Sequence, residues 1–158
     1  MCKLPFNAFF FTGSYETGKH LRKNCPDSAL LALEMGGNNS IIVGNISDEK
    51  AAAYTLFQSA FITSGQRCTC ARRIFIIESE KTKKILEWLI YFSKNCITGH
   101  YTDSPEPFMG PIANPNLKKV IENHLSNLKR FGCKELLTSP FLDTDNGYIS
   151  PIILDITE

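Results

Sequence analysis

Apolar positions recur in two rhythms along this chain, and the changes of rhythm mark out its elements. FNAFFF (6–11) is a short unbroken apolar run ahead of a Thr-Gly-Ser turn, which predicts a buried strand. SYETGKHLRK (14–23) follows as the start of a helix. SALLALEM (28–35) runs into Gly36-Gly37, and NSIIVG (39–44) has strand character. Asp48 is placed to cap a long helix, with Glu49 supporting its first turn. From Ala51 to Ile62 apolar residues fall at helical spacing, as Ala53, Leu56, Phe57, Ala60 and Phe61, and Gly65 is positioned to end the helix.

The rhythm then repeats. RRIFIIES (72–79) reads as a buried strand, and EKTKKILEWLIYFSKN (80–95) as an amphipathic helix with Ile85, Trp88, Leu89 and Phe92 on one face. DSPEPFMGP (103–111) holds three prolines and must be a loop. NPNLKKVIENHLSNLKRFG (114–132) reads as a helix opened near Pro115 and stopped at Gly132. KELLT (134–138) and GYISPIILDI (147–156) read as strands. Strands alternating with helices predict an α/β layered fold.

Composition narrows the function. The chain has 158 residues, enough for one domain with a core of its own. Net charge is +1, so no strong field is available to draw in nucleic acid or an anionic membrane. No apolar run approaches the roughly 18 residues that a membrane span needs. Cysteines stand at 2, 25, 68, 70, 96 and 133, a spacing that matches no common zinc or disulfide framework. Reduced thiols in a cytoplasmic protein are the expectation, with all but Cys68 read as small buried hydrophobes.

Three constellations could carry chemistry. In FTGSYETG (11–18), a strand passes through Gly13 and Ser14 into a helix, and such a helix N-terminus offers unpaired N–H groups to a pyrophosphate. This is not the G-x-G-x-x-G fingerprint, and a plain tight turn explains the same residues. Glu34 lies between Leu33 and Met35 and is followed by two glycines. Desolvation there would raise its pKa and suit it to general-base work; a solvated glutamate at a strand end is the alternative. Cys68 follows Arg67 and precedes Arg72 and Arg73. Cations near a thiol favour the nucleophilic thiolate, while a buried thiol or half of a metal site are the other readings. His20, His100 and His124 are scattered and form no ligand motif with it, so no metal is expected.

FTGSYETG, LALEMGGNN (31–39) and GQRC (65–68), taken together, resemble the aldehyde dehydrogenase superfamily in their order and approximate spacing. The interval from Glu34 to Cys68 also resembles that family's. ALEMGGNN, QSAFITSGQRCTCARR and EPFMGP look most like the branch that acts on N-succinylglutamate 5-semialdehyde in bacterial arginine breakdown. The resemblance implies an aldehyde-dehydrogenase-like fold, with the end of a Rossmann-type cofactor domain in 1–34 and an incomplete catalytic α/β domain in 35–158. It implies NAD as cofactor, a small aldehyde as substrate and homo-oligomeric full-length relatives.

Carried over residue by residue, the resemblance makes Cys68 the nucleophile and Glu34 the base that activates water. Gly13, Ser14, Tyr15, Glu16, Thr17 and Gly18 match the segment against the cofactor. The backbone N–H of Cys68 would be one oxyanion donor, and Cys70 matches no catalytic role. N-succinylglutamate semialdehyde carries two carboxylates, and Arg67 could pair with one of them by a two-pronged contact; a surface arginine is the alternative. The chain corresponds to a middle section of such an enzyme, so by itself it is expected to lack part of the pocket and to be inactive. A non-enzymatic association module, or a thiol-reactive or metal-binding protein using Cys68 and Cys70, are the competing functions.

Overall fold

The computed structural model describes Leu4 and residues 6–138 and 146–157; Cys2 lies outside them. The chain divides into two compact units, Met1–Asn38 and Asn39–Glu158. The first is a single βαβ crossover. Strand β1 (Ala8–Gly13) leads through Ser14 into helix α1 (Tyr15–Asn24), and strand β2 (Leu30–Met35) returns parallel to β1. Ser14 is extended, and its hydroxyl accepts the Thr17 N–H at 3.2 Å, which satisfies one of the orphan donors that begin any helix.

Gly18 is buried where α1 meets β2. A Cβ there would lie 2.4 Å from the Met35 sulfur, so any larger residue would have to displace the end of that side chain. β1 is not the buried strand that its apolar run predicts. Phe9 and Phe11 are half-buried, but Phe10 is 76% exposed. Successive side chains of a strand leave opposite faces, and among the described residues of this unit α1 is the only helix available to cover one.

The second unit opens with another parallel crossover. Strand β3 (Asn39–Val43), helix α2 (Glu49–Phe61) and strand β4 (Ala71–Ile76) are followed by helix α3 (Glu80–Lys94), which packs on α2. Asp48 caps α2 as its sequence position predicts, accepting the Ala51 N–H at 2.8 Å. Ser79 and Thr82 cap α3 reciprocally: the Thr82 N–H donates to Ser79 Oγ, and the Ser79 N–H to Thr82 Oγ1.

The core is built from Val43, Ala53, Leu56, Phe57, Ile85 and Leu89, with Ile74, Ile76, Trp88 and Phe92 packed against it. Its helical members, Ala53, Leu56, Phe57, Ile85, Trp88, Leu89 and Phe92, fall on the faces that the 3.6-residue spacing predicts. Each fully buried Leu, Ile or Phe contributes about 1.5–3 kcal/mol. Phe57 is the hub, with its ring centroid 4.6 Å from Phe108, 5.7 Å from Phe61 and 6.3 Å from Phe92.

Three expectations change here. The strand read over 72–79 is Ala71–Ile76 and faces the core on one side, with Ile74 and Ile76 inward and Phe75 and Ile77 exposed. The helix read over 114–132 is α4, Leu117–Arg130. A tight turn precedes it, in which Asn114 Oδ1 accepts the Asn116 N–H and the Asn114 carbonyl accepts the Leu117 N–H. The strand read over 147–156 contracts to β6, Ile153–Asp155, antiparallel to β5 (Lys134–Leu137). Gly147 gives its carbonyl to the Ile112 N–H instead, and Pro151 has no N–H to offer a ladder.

Candidate active site

Cys68 stands in the link between α2 and β4. That link turns abruptly. α2 stops at Phe61, earlier than the Gly65 stop that the sequence suggests, and the backbone then enters the left-handed region for three residues in a row. Their φ values are 51° at Thr63, 55° at Ser64 and 68° at Gly65. Glycine tolerates this conformation, but each L-residue with a Cβ costs about 1–2 kcal/mol there, most of all a β-branched one such as Thr63.

The surroundings offset that cost with hydrogen bonds. Ser64 Oγ donates to the Gly110 carbonyl at 2.7 Å, and the Ala113 N–H donates to Gln66 Oε1 at 2.8 Å. The turn is thereby fixed to the end of the proline-containing loop 103–111 and to the residues just after it. Thr63 Oγ1 donates to the Ile62 carbonyl at 2.6 Å and accepts from Arg67 Nε at 3.1 Å. Arg72 Nη1 donates to the Gly65 carbonyl at 2.6 Å and Nη2 to the Arg67 carbonyl at 3.3 Å. Asn39, at the start of β3, donates from Nδ2 to the carbonyls of both Cys68 and Cys70.

The cysteines separate cleanly. Cys68 is exposed, whereas Cys70 is buried, with its Sγ 3.6 Å from the Ile62 carbonyl. Cys25 is buried; Cys96 and Cys133 are half-buried and not the fully buried hydrophobes of the sequence reading. Burial pushes the Cys96 thiol up from its ordinary value of 9.0 to about 11, against a smaller downward pull from a hydrogen bond with Thr98. Among the described residues, no acceptor takes the N–H of Cys68. None of the described residues forms a group of three His, Cys, Asp or Glu that could hold a metal ion.

The arginine cluster read from the sequence resolves into three different placements. Arg67 is exposed and spends its Nε–H on Thr63. Arg72 holds backbone carbonyls of the turn. The Arg73 guanidinium lies 5.9 Å from the centre of the Phe75 ring.

Glu34 belongs to the first unit, where it pairs with Thr12 in the β1–β2 ladder. It is exposed, which corrects the expectation that it is partly desolvated. Alternation is the reason: Leu33 and Met35 lie against Gly18 of α1, so Glu34 leaves the opposite face. Gly13 closes β1 opposite Met35, and Ser14 to Thr17 form the exposed first turn of α1. Among the described residues, the Tyr15 and Glu16 N–H groups have no acceptor, so the open helix end can meet an anion. Gly18 serves packing. Residues 13–18 therefore combine a strand end, a capped helix start and two outward amides, which fits the pyrophosphate of a dinucleotide.

A parallel crossover whose helix starts with open amides, and a second crossover that presents one thiol on a fixed turn, are the parts of an α/β chain of dehydrogenase type. The profile of the aldehyde dehydrogenase family matches residues 4–158, and the chain belongs to that family. It is 38% identical over 154 residues to the N-succinylglutamate 5-semialdehyde dehydrogenase of Pseudomonas fluorescens, covering 96% of this chain and 31% of that protein. The enzyme of the same name from Paraburkholderia xenovorans is 38% identical over 153 residues, again covering 96% of this chain and 31% of the relative. Among solved structures, it is similar to betaine aldehyde dehydrogenase from Staphylococcus aureus in complex with NAD+. The TM-score is 0.85 at 26% identity, over 96% of this chain and 31% of that one. The chain thus spans about a third of the length of the curated relatives it matches.

The sequence reading missed Asn39, Ser64, Gln66 and Arg72 as the residues that hold the turn. Three of them flank Cys68 in sequence, but their roles depend on carbonyls whose directions no periodicity reveals. Asn39 reaches a partner 29 residues away. Its polar side chain at the head of an apolar strand was the available signal.

Proposed function

We propose that this chain carries the nucleophile, the general base and the pyrophosphate-facing turn of an NAD-linked oxidoreductase that converts N-succinyl-L-glutamate 5-semialdehyde to N-succinyl-L-glutamate. In this reading residues 1–34 end the cofactor domain and 35–158 belong to the catalytic domain. The observation that carries it is the exposure of Cys68 on a turn whose backbone is held on every side, next to a buried Cys70. The 38% identity to two enzymes named for that substrate supports the choice of aldehyde.

The chemistry follows from the groups. The Cys68 thiolate adds to the aldehyde carbon, and the carbonyl oxygen becomes an oxyanion that accepts the Cys68 N–H. NAD, when bound, supplies the hydride acceptor that turns this adduct into a thioester. Residues 13–18 would hold its pyrophosphate at the start of α1. Glu34 then takes a proton from water, the resulting hydroxide attacks the thioester carbon, and the carboxylate product leaves as the Cys68 sulfur regains its electron pair.

The test is NADH formation with the semialdehyde at saturating NAD, by the chain and by its Cys68→Ser form. Turnover that vanishes in Cys68→Ser supports the assignment, and turnover that survives it removes Cys68 from the mechanism. A folded chain that forms no NADH removes independent catalysis. Arg67, exposed beside the nucleophile, is the residue we assign to a substrate carboxylate. Arg67→Ala should raise KM for the succinylated aldehyde by about tenfold or more and leave KM for a neutral aldehyde nearly unchanged, as loss of a charge-assisted pair predicts. Equal effects on both substrates would refute that role.

A further inference from the structure

The geometry points to Asn39 and Arg72 as positioning residues that lock the two peptide planes on either side of Cys68 and so aim its N–H at the developing oxyanion. The inference rests on the reading of Cys68 as the nucleophile and adds what holds it in place. Both residues meet at one irregularity. In the β3–β4 ladder Asn39 pairs with Ala71, but the next residue, Ser40, pairs with Arg73. Arg72 is the extra residue of a bulge, unpaired in the ladder. A bulge re-aims the side chains around it, and this one releases Arg72 to turn back over the link.

The hydrogen bonds then fall on the two planes in question. The Arg67 carbonyl and the Cys68 N–H belong to one trans peptide, so they point in opposite directions. That carbonyl accepts Arg72 Nη2 at 3.3 Å and the Cys70 N–H at 3.1 Å. Fixing it fixes the direction of the Cys68 N–H. On the other side, the Cys68 carbonyl accepts Asn39 Nδ2, which also reaches the Cys70 carbonyl at 3.4 Å. With both flanking planes held, the Cα–Cβ bond of Cys68 has one direction. Arg72 Nη1 on the Gly65 carbonyl extends the clamp into the left-handed run. A donor helps an oxyanion only when it is aimed before the charge forms, which makes the clamp a matter of rate and not of binding.

Two reagents separate aiming from simple access to the thiol, using the 158-residue chain. With p-nitrophenyl acetate, the Cys68 sulfur bonds to the acyl carbon, the bond from that carbon to the aryl oxygen breaks, and p-nitrophenolate leaves with the electron pair. Negative charge builds on the carbonyl oxygen on the way. With iodoacetamide, sulfur displaces iodide directly and no oxyanion forms. Both adducts are mapped to Cys68 by peptide mass, and rates are compared on the high-pH plateau, where ionisation of the thiol no longer limits them.

Asn39→Ala and Arg72→Met should each slow acylation by about tenfold or more while changing alkylation by less than about twofold. Arg72→Lys keeps the charge but cannot span two carbonyls, so it should behave like Arg72→Met. Rates that fall equally with both reagents, or with neither, overturn the inference. If wild-type Cys68 is alkylated but never acylated, the nucleophile reading fails and the inference falls with it. If wild type is acylated and the variants match it, the inference alone fails. Circular dichroism reports folding; if Asn39→Ala does not fold, Asn39→Ser and the two Arg72 variants carry the comparison.

Discussion

Gly65→Ala isolates the strain in the turn that carries Cys68. Gly65 has φ +68°, and a Cβ built there would sit 3.0 Å from the Ala60 carbonyl oxygen. Placing an L-residue in the left-handed region costs about 1–2 kcal/mol. The close approach is to backbone of α2, which cannot swing aside like a side-chain tip, and such overpacking adds about 1 kcal/mol or more. Alanine also narrows the unfolded ensemble, which returns about 0.4–1 kcal/mol. The net loss is then about 1–3 kcal/mol. In a chain of this size 1 kcal/mol corresponds to about 2–4 °C in Tm. The assay is urea unfolding followed by the fluorescence of Trp88, the single tryptophan, which packs against the core of the same unit. Gly110→Ala is the control, because its new Cβ meets nothing within 4 Å. A Gly65→Ala chain as stable as Gly110→Ala would refute the account of the turn as left-handed and tightly packed.

Two other predictions concern the surrounding fold. Asp48→Ala removes the acceptor of the Ala51 N–H and should cost about 1 kcal/mol, whereas Asp48→Asn or Asp48→Ser should restore most of it; urea midpoints check this. Cys96 keeps its proton in the folded chain up to about 11, while the unfolded thiol releases it near 9.0. The folded state therefore binds more protons across that window, so this contribution is intact below pH 9 and is lost as pH rises toward 11. Unfolding titrated over that range should show a decline that Cys96→Ala makes shallower, and an unchanged slope would contradict it.

The parts of the structure legible from sequence are those set by periodicity and short-range chemistry. Ala53, Leu56, Phe57, Ile85 and Leu89 fall at helical spacing because helix faces must bury something, and they form the core. Asp48 caps because a short acid before an apolar-periodic run has a nearby donor to satisfy. Gly65 marked a break in the chain ahead of Cys68, although α2 stops earlier, at Phe61. What could not be read depends on which face a neighbour covers. Phe10, Phe75 and Ile77 lie in apolar runs that suggest two-sided burial, yet each emerges on an open face. Glu34 looked desolvated beside Leu33 and Met35, and alternation sends it the other way. The left-handed Thr63 runs against local preference, and its turn is held through Ser64 and Gln66 by partners as far away as Gly110 and Ala113.

The inward placement of Cys70 also bears on how Cys68 meets oxidants. Two cysteines so close in sequence suggest a sulfenic acid and the thiol that resolves it. Here one sulfur is open to solvent, and the other belongs to a residue only 2% exposed. A thiol so enclosed cannot reach a sulfenic acid on Cys68 while the turn keeps its shape. An oxidised Cys68 must then be resolved by a thiol other than Cys70, or it proceeds to the sulfinic state that ordinary thiols do not reverse. The turn that exposes Cys68 thus also keeps Cys70 from acting as its resolving thiol.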